Sequence, residues 1–153
     1  MKKSILLCGF ICILSILIIS CNDSFEGPPI SQTDIYNCHR ASEWDATKIK
    51  NELLGIWEWE YTSCYGFPGE GTYITDEELR IEFRDDSTLT VTQNGLHIQN
   101  STWKVVDGDG DLFEIEVEPY VDQLWGRILI CENRVEFNFS YIDLCDNYFK
   151  KKE

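Results

Sequence analysis

Hydrophobic and polar positions divide the chain into three parts. Residues 5–19 are almost entirely apolar, and residues 22–44 show no sustained period. Further along, apolar and polar residues alternate, as in Trp57, Trp59 and Tyr61, which are separated by glutamates. A period of two is typical of strands that bury one face. The third part is therefore predicted to be a β domain.

The alternation predicts eight strands, joined mostly by short turns. Asn94-Gly95 is a strong signal for a two-residue hairpin, because both central residues of that turn need a positive φ. A change of parity before Trp103 indicates a bulge near Gln99–Ser101. One long gap, at 65–78, separates the first two strands. The predicted strands are 53–61, 79–84, 88–92, 96–105, 113–118, 125–131, 135–139 and 146–151.

A short helix is predicted before the first strand. Asp45 is a suitable N-cap for a helix over 45–54, with Ile49 and Leu53 on its apolar side. Eight antiparallel strands with one buried face favour a closed barrel, because closure leaves no unpaired edge. The predicted fold is all-β: an eight-stranded antiparallel up-and-down barrel with a short N-terminal helix, over residues 45–153.

The start of the chain has the features of an export signal. Lys2 and Lys3 followed by a short apolar run predict a signal peptide over residues 1–20. Ser20 stands directly before Cys21 and resembles the end of a bacterial lipobox. The resemblance implies that Cys21 is acylated and anchors the protein to a membrane of the cell envelope, most readily the outer membrane. The alternative is an ordinary signal peptide and an unmodified Cys21. Residues 21–44 are predicted to be the lipidated cysteine and its tether.

Charge limits the classes of partner. The chain has 13 Lys+Arg against 27 Asp+Glu, and its net charge of −14 becomes −16 without Lys2 and Lys3. Nucleic acid is not an expected partner, because binding to phosphates depends on Lys and Arg. Aromatic residues make up 13% of the chain, which argues against disorder as the main state.

Motifs of catalysis and metal binding are missing from the sequence. There is no nucleophile elbow, phosphate-binding loop or zinc-protease motif, so we expect neither enzymatic activity nor a cofactor. Asp107, Asp109 and Asp111 allow a weak calcium site as an alternative to an acidic turn, but Leu112 stands where an EF-hand loop needs glycine. Two histidines do not favour a zinc site, and no metal is predicted.

Short motifs at both ends of the β domain resemble a known family. Leu53-Leu54-Gly55-Ile56-Trp57 opens the first strand, and its Gly-x-Trp resembles the lipocalins. With the lipobox, the stretch Thr75–Glu78 and the C-terminal Asp-Asn-Tyr-Phe-Lys at 146–150, the chain looks like the small lipocalin-like lipoproteins of the Bacteroidetes. The resemblance spans about 53–151. It implies that Trp57 lies in the core at the closed end of the barrel. An arginine caps this tryptophan in lipocalins, and here Lys150–Lys152 occupy its place.

The same resemblance implies that the loop from Cys64 to Glu78 lies across the barrel mouth. A small hydrophobic ligand would then enter under this loop, and the inward strand positions would contribute to its site. The predicted ligand-binding residues are Trp59, Tyr61, Tyr65, Phe67, Tyr73, Tyr120, Trp125 and Tyr141.

The predicted barrel determines which of four cysteines can form disulfides with each other. Export favours disulfides, and Cys38, Cys64, Cys131 and Cys145 allow three pairings. In the barrel the first and last strands are neighbours, which brings Cys64 to Cys145 at the mouth. Cys131 lies at the opposite end, where Cys38 enters. Pairing Cys131 with Cys145 would require a span of roughly 20 Å along a strand, whereas a disulfide needs Cα atoms within about 7 Å. The predicted pairs are Cys64–Cys145 and Cys38–Cys131.

Two functions remain open at this point. The first is an envelope lipoprotein whose barrel binds a small hydrophobic molecule. The second is a non-enzymatic interaction module with a filled core, which binds an envelope protein or a glycan. Eight-stranded barrels have room either for one small ligand or for side chains alone, so the alternation does not decide between them.

Overall fold

The computed structural model describes residues 31–65, 71–73, 77–142 and 144–153. The predictions for the signal peptide, for Cys21 and for the first half of the tether lie outside these residues. Within them, most of the chain forms one antiparallel sheet, preceded by two helices.

The two helices are α1, Gln32–Arg40, and α2, Ala46–Leu53. The N-cap predicted for α2 is confirmed, because Asp45 Oδ1 accepts a hydrogen bond of 2.8 Å from the backbone N–H of Lys48. Neither helix is long and apolar enough to span a membrane.

The sequence pattern did not predict α1, which lies inside the segment that was interpreted as a tether. It is an outer layer on the barrel wall, and Ile35 is its buried apolar anchor. One apolar residue is too little for a periodic signal, so α1 owes its stability to tertiary contacts and not to its own amphipathic pattern.

Nine strands form a single closed sheet in the described residues. Neighbouring strands pair antiparallel in the order β2-β1-β3-β4-β5-β6-β7-β8-β9, and β1 pairs again with β9, which closes the barrel. The predicted eight-stranded barrel is confirmed. The additional strand β2 is short and extends the edge of β1 that also pairs with β3. The strands are β1 Gly55–Cys64, β2 Gly71–Tyr73, β3 Leu79–Phe83, β4 Thr88–Gln93, β5 Leu96–Asp107, β6 Phe113–Glu118, β7 Arg127–Cys131, β8 Arg134–Asn138 and β9 Cys145–Lys151.

Two bulges change which face a side chain occupies. In β5, Val91 pairs with Gln99 and Thr92 with His97, so Ile98 is the extra residue, one position before the predicted range. In β1, Glu60 is extra, because Trp59 pairs with Phe149 and Tyr61 with Tyr148. Since side chains alternate in a strand, each bulge moves the residues beyond it to the opposite face.

The strand directions define two ends of the barrel. The mouth end contains the end of β1 at Cys64 and the β4–β5, β6–β7 and β8–β9 connections. The closed end contains α2, with Ile49 and Leu53 fully buried against the core. There Trp57 is buried, and its Nε1 donates a hydrogen bond of 2.7 Å to the carbonyl oxygen of Leu53.

The last strand closes this end of the barrel with a cation. Lys151 Nζ lies 5.2 Å from the centroid of the Trp57 ring and donates a hydrogen bond of 2.7 Å to the carbonyl oxygen of Glu52. Lys151 thus takes the position in which the family resemblance expected a capping cation.

Both predicted disulfides are present. Cys38–Cys131 ties the C-terminal part of α1 to the end of β7, and Cys64–Cys145 joins the first and last strands at the mouth end. The strand order explains the pairing, since β1 and β9 are neighbours and Cys64 faces Cys145 in their register.

Candidate functional site

The main cavity is a cleft in the barrel wall beside β6. It has a volume of about 690 Å³ and extends from the outside of the sheet to the core. Single ligands occupy pockets of roughly 300–1,000 Å³ in other proteins. We call it the mouth cleft, and it is lined by β5 residues 102–104, β6 residues 114–118, Ser87, Phe139 and the residues 120, 121 and 124–126 of the β6–β7 connection.

The mouth cleft exists because β6 and β7 hardly pair. Their ladder consists of a single pair, Glu114 with Arg127. Beyond that pair, the β6–β7 connection takes the place of a strand. It passes so close to β8 that a Cβ on Gly126 would lie 2.0 Å from the carbonyl oxygen of Asn138, and Gly126 has a φ of +96°. Only glycine fits at this point.

The inner surface of the mouth cleft is apolar. Trp103, Val121 and Leu124 are buried there, and the ring of Trp103 packs edge-on against Phe83 at 5.0 Å between centroids. Below this level the buried apolar side chains of the described residues pack together as one core. The buried core comprises Ile49, Leu53, Trp57, Leu79, Ile81, Phe83, Leu89, Val91, Trp103, Ile115, Val121, Leu124, Ile128, Ile130, Val135, Phe137 and Phe149.

Aromatic rings form a row along the outer side of the cleft. Tyr120 contacts Trp125 at 6.2 Å between ring centroids, Trp125 contacts Phe139 at 5.4 Å, and Phe139 contacts Tyr141 at 5.9 Å. Tyr120 and Trp125 are 63% and 47% exposed, which is unusual for residues with rings of this size. The row therefore offers aromatic surface to a ligand or a partner.

Trp59 projects into a second cleft on the other side of the β6–β7 connection. This cleft has a volume of about 420 Å³ and shares Tyr120 and Val121 with the mouth cleft. The indole Nε1 of Trp59 is buried and has no hydrogen-bond partner among the described residues. A buried donor without an acceptor is costly, so this position suits a ligand that carries an acceptor.

Tyr61 does not line the lumen, and that prediction is wrong. The bulge at Glu60 moves it to the outer face, where its ring stacks on Tyr148 at 4.3 Å between centroids. It is only 3% exposed there. Burial raises the pKa values of both phenols, with the charge of Glu136 as the next contribution.

The remaining predicted residues divide into four groups. Tyr120 and Trp125 line the mouth cleft. Tyr141 lies apart from it, in a separate notch of about 290 Å³ beside α1, where the guanidinium carbon of Arg127 is 3.8 Å from its ring centroid. Tyr65 is exposed at the end of β1. Phe67, the Tyr73 side chain and the stretches 66–70 and 74–76 of the proposed mouth loop lie outside the described residues.

The sequence pattern missed three buried residues of the cleft: Trp103, Val121 and Leu124. Val121 and Leu124 belong to a connection whose sequence is typical of a turn. The spacing of three residues between them was the one available indication that both are buried. That spacing corresponds to a tight turn in which the Leu124 N–H donates to the Val121 carbonyl oxygen at 3.0 Å. Trp103 was predicted to lie on a strand, but whether its side chain faces the lumen or the outside depended on the position of the bulge.

A buried polar cluster lies on the outer wall beneath α1. Asp146 Oδ1 accepts hydrogen bonds of 2.7 Å from the backbone N–H groups of Phe139 and Ser140. Gln32 Nε2 in α1 donates to Asp146 Oδ2 at 3.0 Å, and Asn138 Nδ2 donates to Glu136 Oε1 at 2.8 Å. Glu136 and Asp146 are both fully buried. This cluster positions α1 and the β8–β9 connection that borders the aromatic row.

His39 fixes the other half of α1. Its Nδ1 accepts a hydrogen bond of 3.0 Å from the backbone N–H of Ile130, on the edge of β7 that β6 leaves unpaired. Burial lowers the pKa of His39 to about 4, so the imidazole is neutral at neutral pH and can accept this bond.

The structure does not bring the three aspartates of the 107–111 turn together as one group. Within the described stretches, no group of three or more His, Cys, Asp or Glu side chains is arranged to hold a metal ion. Asp109 and Asp111 instead accept from Arg127 and Arg40, at 3.4 and 3.3 Å.

Comparisons of the chain with protein-family models, with curated proteins and with solved structures found no significant match. The geometry of the clefts is therefore the basis for any functional conclusion.

Proposed function

We propose that this protein is a non-enzymatic lipoprotein of the cell envelope that is anchored through acyl chains on Cys21 and binds one small hydrophobic ligand in the mouth cleft. The single observation that carries the binding function is the mouth cleft itself: about 690 Å³ of space with an apolar inner surface beside the packed core. Burying apolar ligand surface there contributes about 25 cal/mol per Å².

The second cleft, which shares Tyr120 and Val121 with the mouth cleft, favours an amphiphile over a pure hydrocarbon. It is lined by Trp59, whose Nε1 is a buried donor that lacks an acceptor in the described part of the chain. A ligand that extends from the mouth cleft into the second cleft with one carbonyl, carboxylate or hydroxyl oxygen would supply that acceptor and gain about 0.5–1.5 kcal/mol from the bond.

The test is direct binding by the protein without its lipid anchor. Residues 22–153, which lack Cys21, are produced under oxidising conditions, and native mass spectrometry then detects any lipid that copurifies. Displacement of a fluorescent fatty-acid probe measures the affinity. A copurified lipid or a displaceable probe supports the proposal, and the absence of both contradicts it.

A pair of strand substitutions locates the site. Val117→Trp fills the mouth cleft from an inward position of β6 that is partly buried, and we expect probe affinity to fall at least tenfold. Glu82→Trp adds the same side chain to a position of β3 that does not line the mouth cleft and whose side chain is 44% exposed, and we expect affinity to stay within twofold. Equal effects of the two variants would place the probe elsewhere.

The alternative is an interaction module that uses its surface. The filled lower lumen and the acidic exterior favour it. Salt-sensitive capture of one basic envelope protein by the same protein, together with no bound lipid and no probe displacement, would support this alternative.

A further inference from the structure

Exposed apolar side chains concentrate at the mouth end of the barrel. Three separate connections contribute them: Leu96 and Ile98 follow the β4–β5 turn, Tyr120 and Trp125 belong to the β6–β7 connection, and Tyr141 and Ile142 to the β8–β9 connection. We call these six residues the mouth tips. Leu96 is 71% exposed and Ile142 is 51% exposed. Ile56 is a large exposed apolar residue at the closed end, at 43%.

The charges around the mouth tips argue against an anionic surface. Residues 94–98, 119–126 and 139–145 contain no Lys or Arg and two aspartates, Asp122 and Asp143. Arg127 lies against the ring of Tyr141, but its charge is paired with Asp109 at 3.4 Å. Attraction to an anionic membrane depends on basic residues near the surface. Trp and Tyr, in contrast, favour the headgroup region of a bilayer whether or not it carries charge. The mouth tips therefore fit a zwitterionic lipid surface.

The path of the chain brings the anchor to the same end. Gln32, the first residue of α1, donates hydrogen bonds to Ser140 and Asp146, which lie at the mouth end. Cys38, near the other end of α1, is bonded to Cys131 at the closed end. The chain therefore enters the described structure at the mouth end, at Ser31.

The length of chain before Ser31 then favours one orientation. Cys21 lies ten residues earlier, and ten residues reach at most about 33–36 Å. To point the closed end at the membrane, this segment would have to run back along the barrel wall past the level of Cys38, which is bonded to Cys131 at the closed end. The mouth end can face the membrane without this return.

We infer that the mouth end faces the bilayer and that the mouth tips insert among the headgroups of a zwitterionic lipid surface. The orientation rests on the anchor in the proposed function, whereas the lipid contact rests on the mouth tips themselves. Such contact would open the mouth cleft toward the source of its ligand, so that an amphiphile could pass from lipid to barrel without crossing water.

The experiment measures the depth of Trp125 in a membrane. The full chain is expressed with its signal sequence, its acylation is established by intact mass, and it is reconstituted in phosphatidylcholine vesicles with and without brominated acyl chains. Bromine quenches tryptophan at short range, and the difference between wild type and Trp125→Phe isolates the signal of Trp125. We expect this signal to be quenched at least twofold by the brominated lipid.

Matched variants test whether the mouth tips cause the contact. Leu96→Asp/Ile142→Asp removes two tips that lie outside every cleft described above, and we expect the quenching of Trp125 to fall at least threefold. Ile56→Asp makes the same change at a similarly exposed position on the closed end, and we expect quenching within 20% of wild type. Unquenched Trp125 in the wild type, or equal losses in the two variants, would overturn the inference.

The result of this quenching experiment can be distinguished from the result of the ligand-binding test of the proposed function. Quenching needs no bound ligand, so a protein that fails to bind a fatty-acid probe still gives a result. If intact mass shows no acyl chain on Cys21, the same vesicles are mixed with the unacylated chain, and quenching of Trp125 then supports the lipid contact while its absence overturns it. Stronger quenching on vesicles with a third of phosphatidylglycerol would overturn the choice of a zwitterionic surface.

Discussion

The buried carboxyl group of Glu136 should make the stability of the barrel depend on pH. Glu136 lies on the outer face of β8, is fully buried, and accepts a hydrogen bond from Asn138. Burial raises its pKa from 4.5 to about 8, and the nearby charge of Asp146 acts in the same direction. The folded protein therefore holds a proton on Glu136 at a pH at which the unfolded chain has lost it.

The sign follows from this difference in bound protons. Where the folded state binds more protons than the unfolded state, the free energy of unfolding decreases as pH rises. The contribution of Glu136 is fully present below about pH 4.5 and is lost by about pH 8. Each pH unit inside this window costs up to about 1.4 kcal/mol.

The titration of His39 determines the range of pH in which the effect of Glu136 on stability can be measured. Its pKa falls from 6.5 to about 4, mainly through burial, so its contribution is present above about pH 6.5 and is lost as pH falls toward 4. Between pH 4.5 and 6.5 the slopes of His39 and Glu136 therefore oppose each other. Above pH 6.5 the opposing slope of His39 is absent, and burial also raises the pKa of Asp146, which acts with the same sign as Glu136. We expect the free energy of unfolding to fall by about 2 kcal/mol between pH 6.5 and 8.

Urea denaturation at 25 °C, at pH 6.5, 7.2 and 8, measures this slope. Glu136→Gln keeps an acceptor oxygen for Asn138 and does not titrate, so we expect nearly equal free energies of unfolding at the three values of pH. Glu116→Gln, at an exposed ion pair with Lys104, should keep the wild-type slope. A wild-type protein whose stability changes by less than 0.5 kcal/mol, or a Glu136→Gln variant with the wild-type slope, would refute the reasoning.

Two further predictions concern the cleft and α1. Trp59→Phe removes the buried indole donor that lacks a partner in the described residues. We therefore expect an unchanged or higher melting temperature and about 3–10-fold weaker binding of a carboxylate probe. A lower melting temperature would mean that the donor has a hydrogen-bond partner in the unliganded protein. Cys38→Ala/Cys131→Ala removes a disulfide that spans 93 residues, so we expect a loss of up to about 4–5 kcal/mol in urea denaturation. Hydrogen exchange should then show faster exchange at the Ile130 N–H that donates to His39, and unchanged protection there would contradict the role of the disulfide in holding α1.

The fold was largely predictable because its signal is repeated along the chain. Each strand alternates on its own, and the turn at Asn94-Gly95 and the N-cap at Asp45 lie where the local residues predicted them. The disulfide pairs followed from strand direction alone, since eight alternating strands decide which cysteines share an end. These features depend on local backbone conformation, which residues close together in the sequence determine.

The candidate site was predicted less well because it depends on exceptions to that repetition. One extra residue, Glu60, moves Tyr61 from the lumen to the outer wall. The mouth cleft depends on the near absence of pairing between β6 and β7, and nothing in the alternation of either strand signals it. The β6–β7 connection occupies the place where β7 would otherwise pair with β6. Whether the two strands pair therefore depends on packing across the whole barrel.

The amino-acid sequence by itself thus determined the all-β class, the closure of the barrel and the cysteine pairs, because period, turn residues and strand parity are local properties. Only the tertiary structure decided that α1 packs on the outer wall, that Glu136 and His39 are buried beneath it, and that the wall opens beside β6. Those features arise from contacts between residues far apart in the chain, where burial and desolvation override local preference.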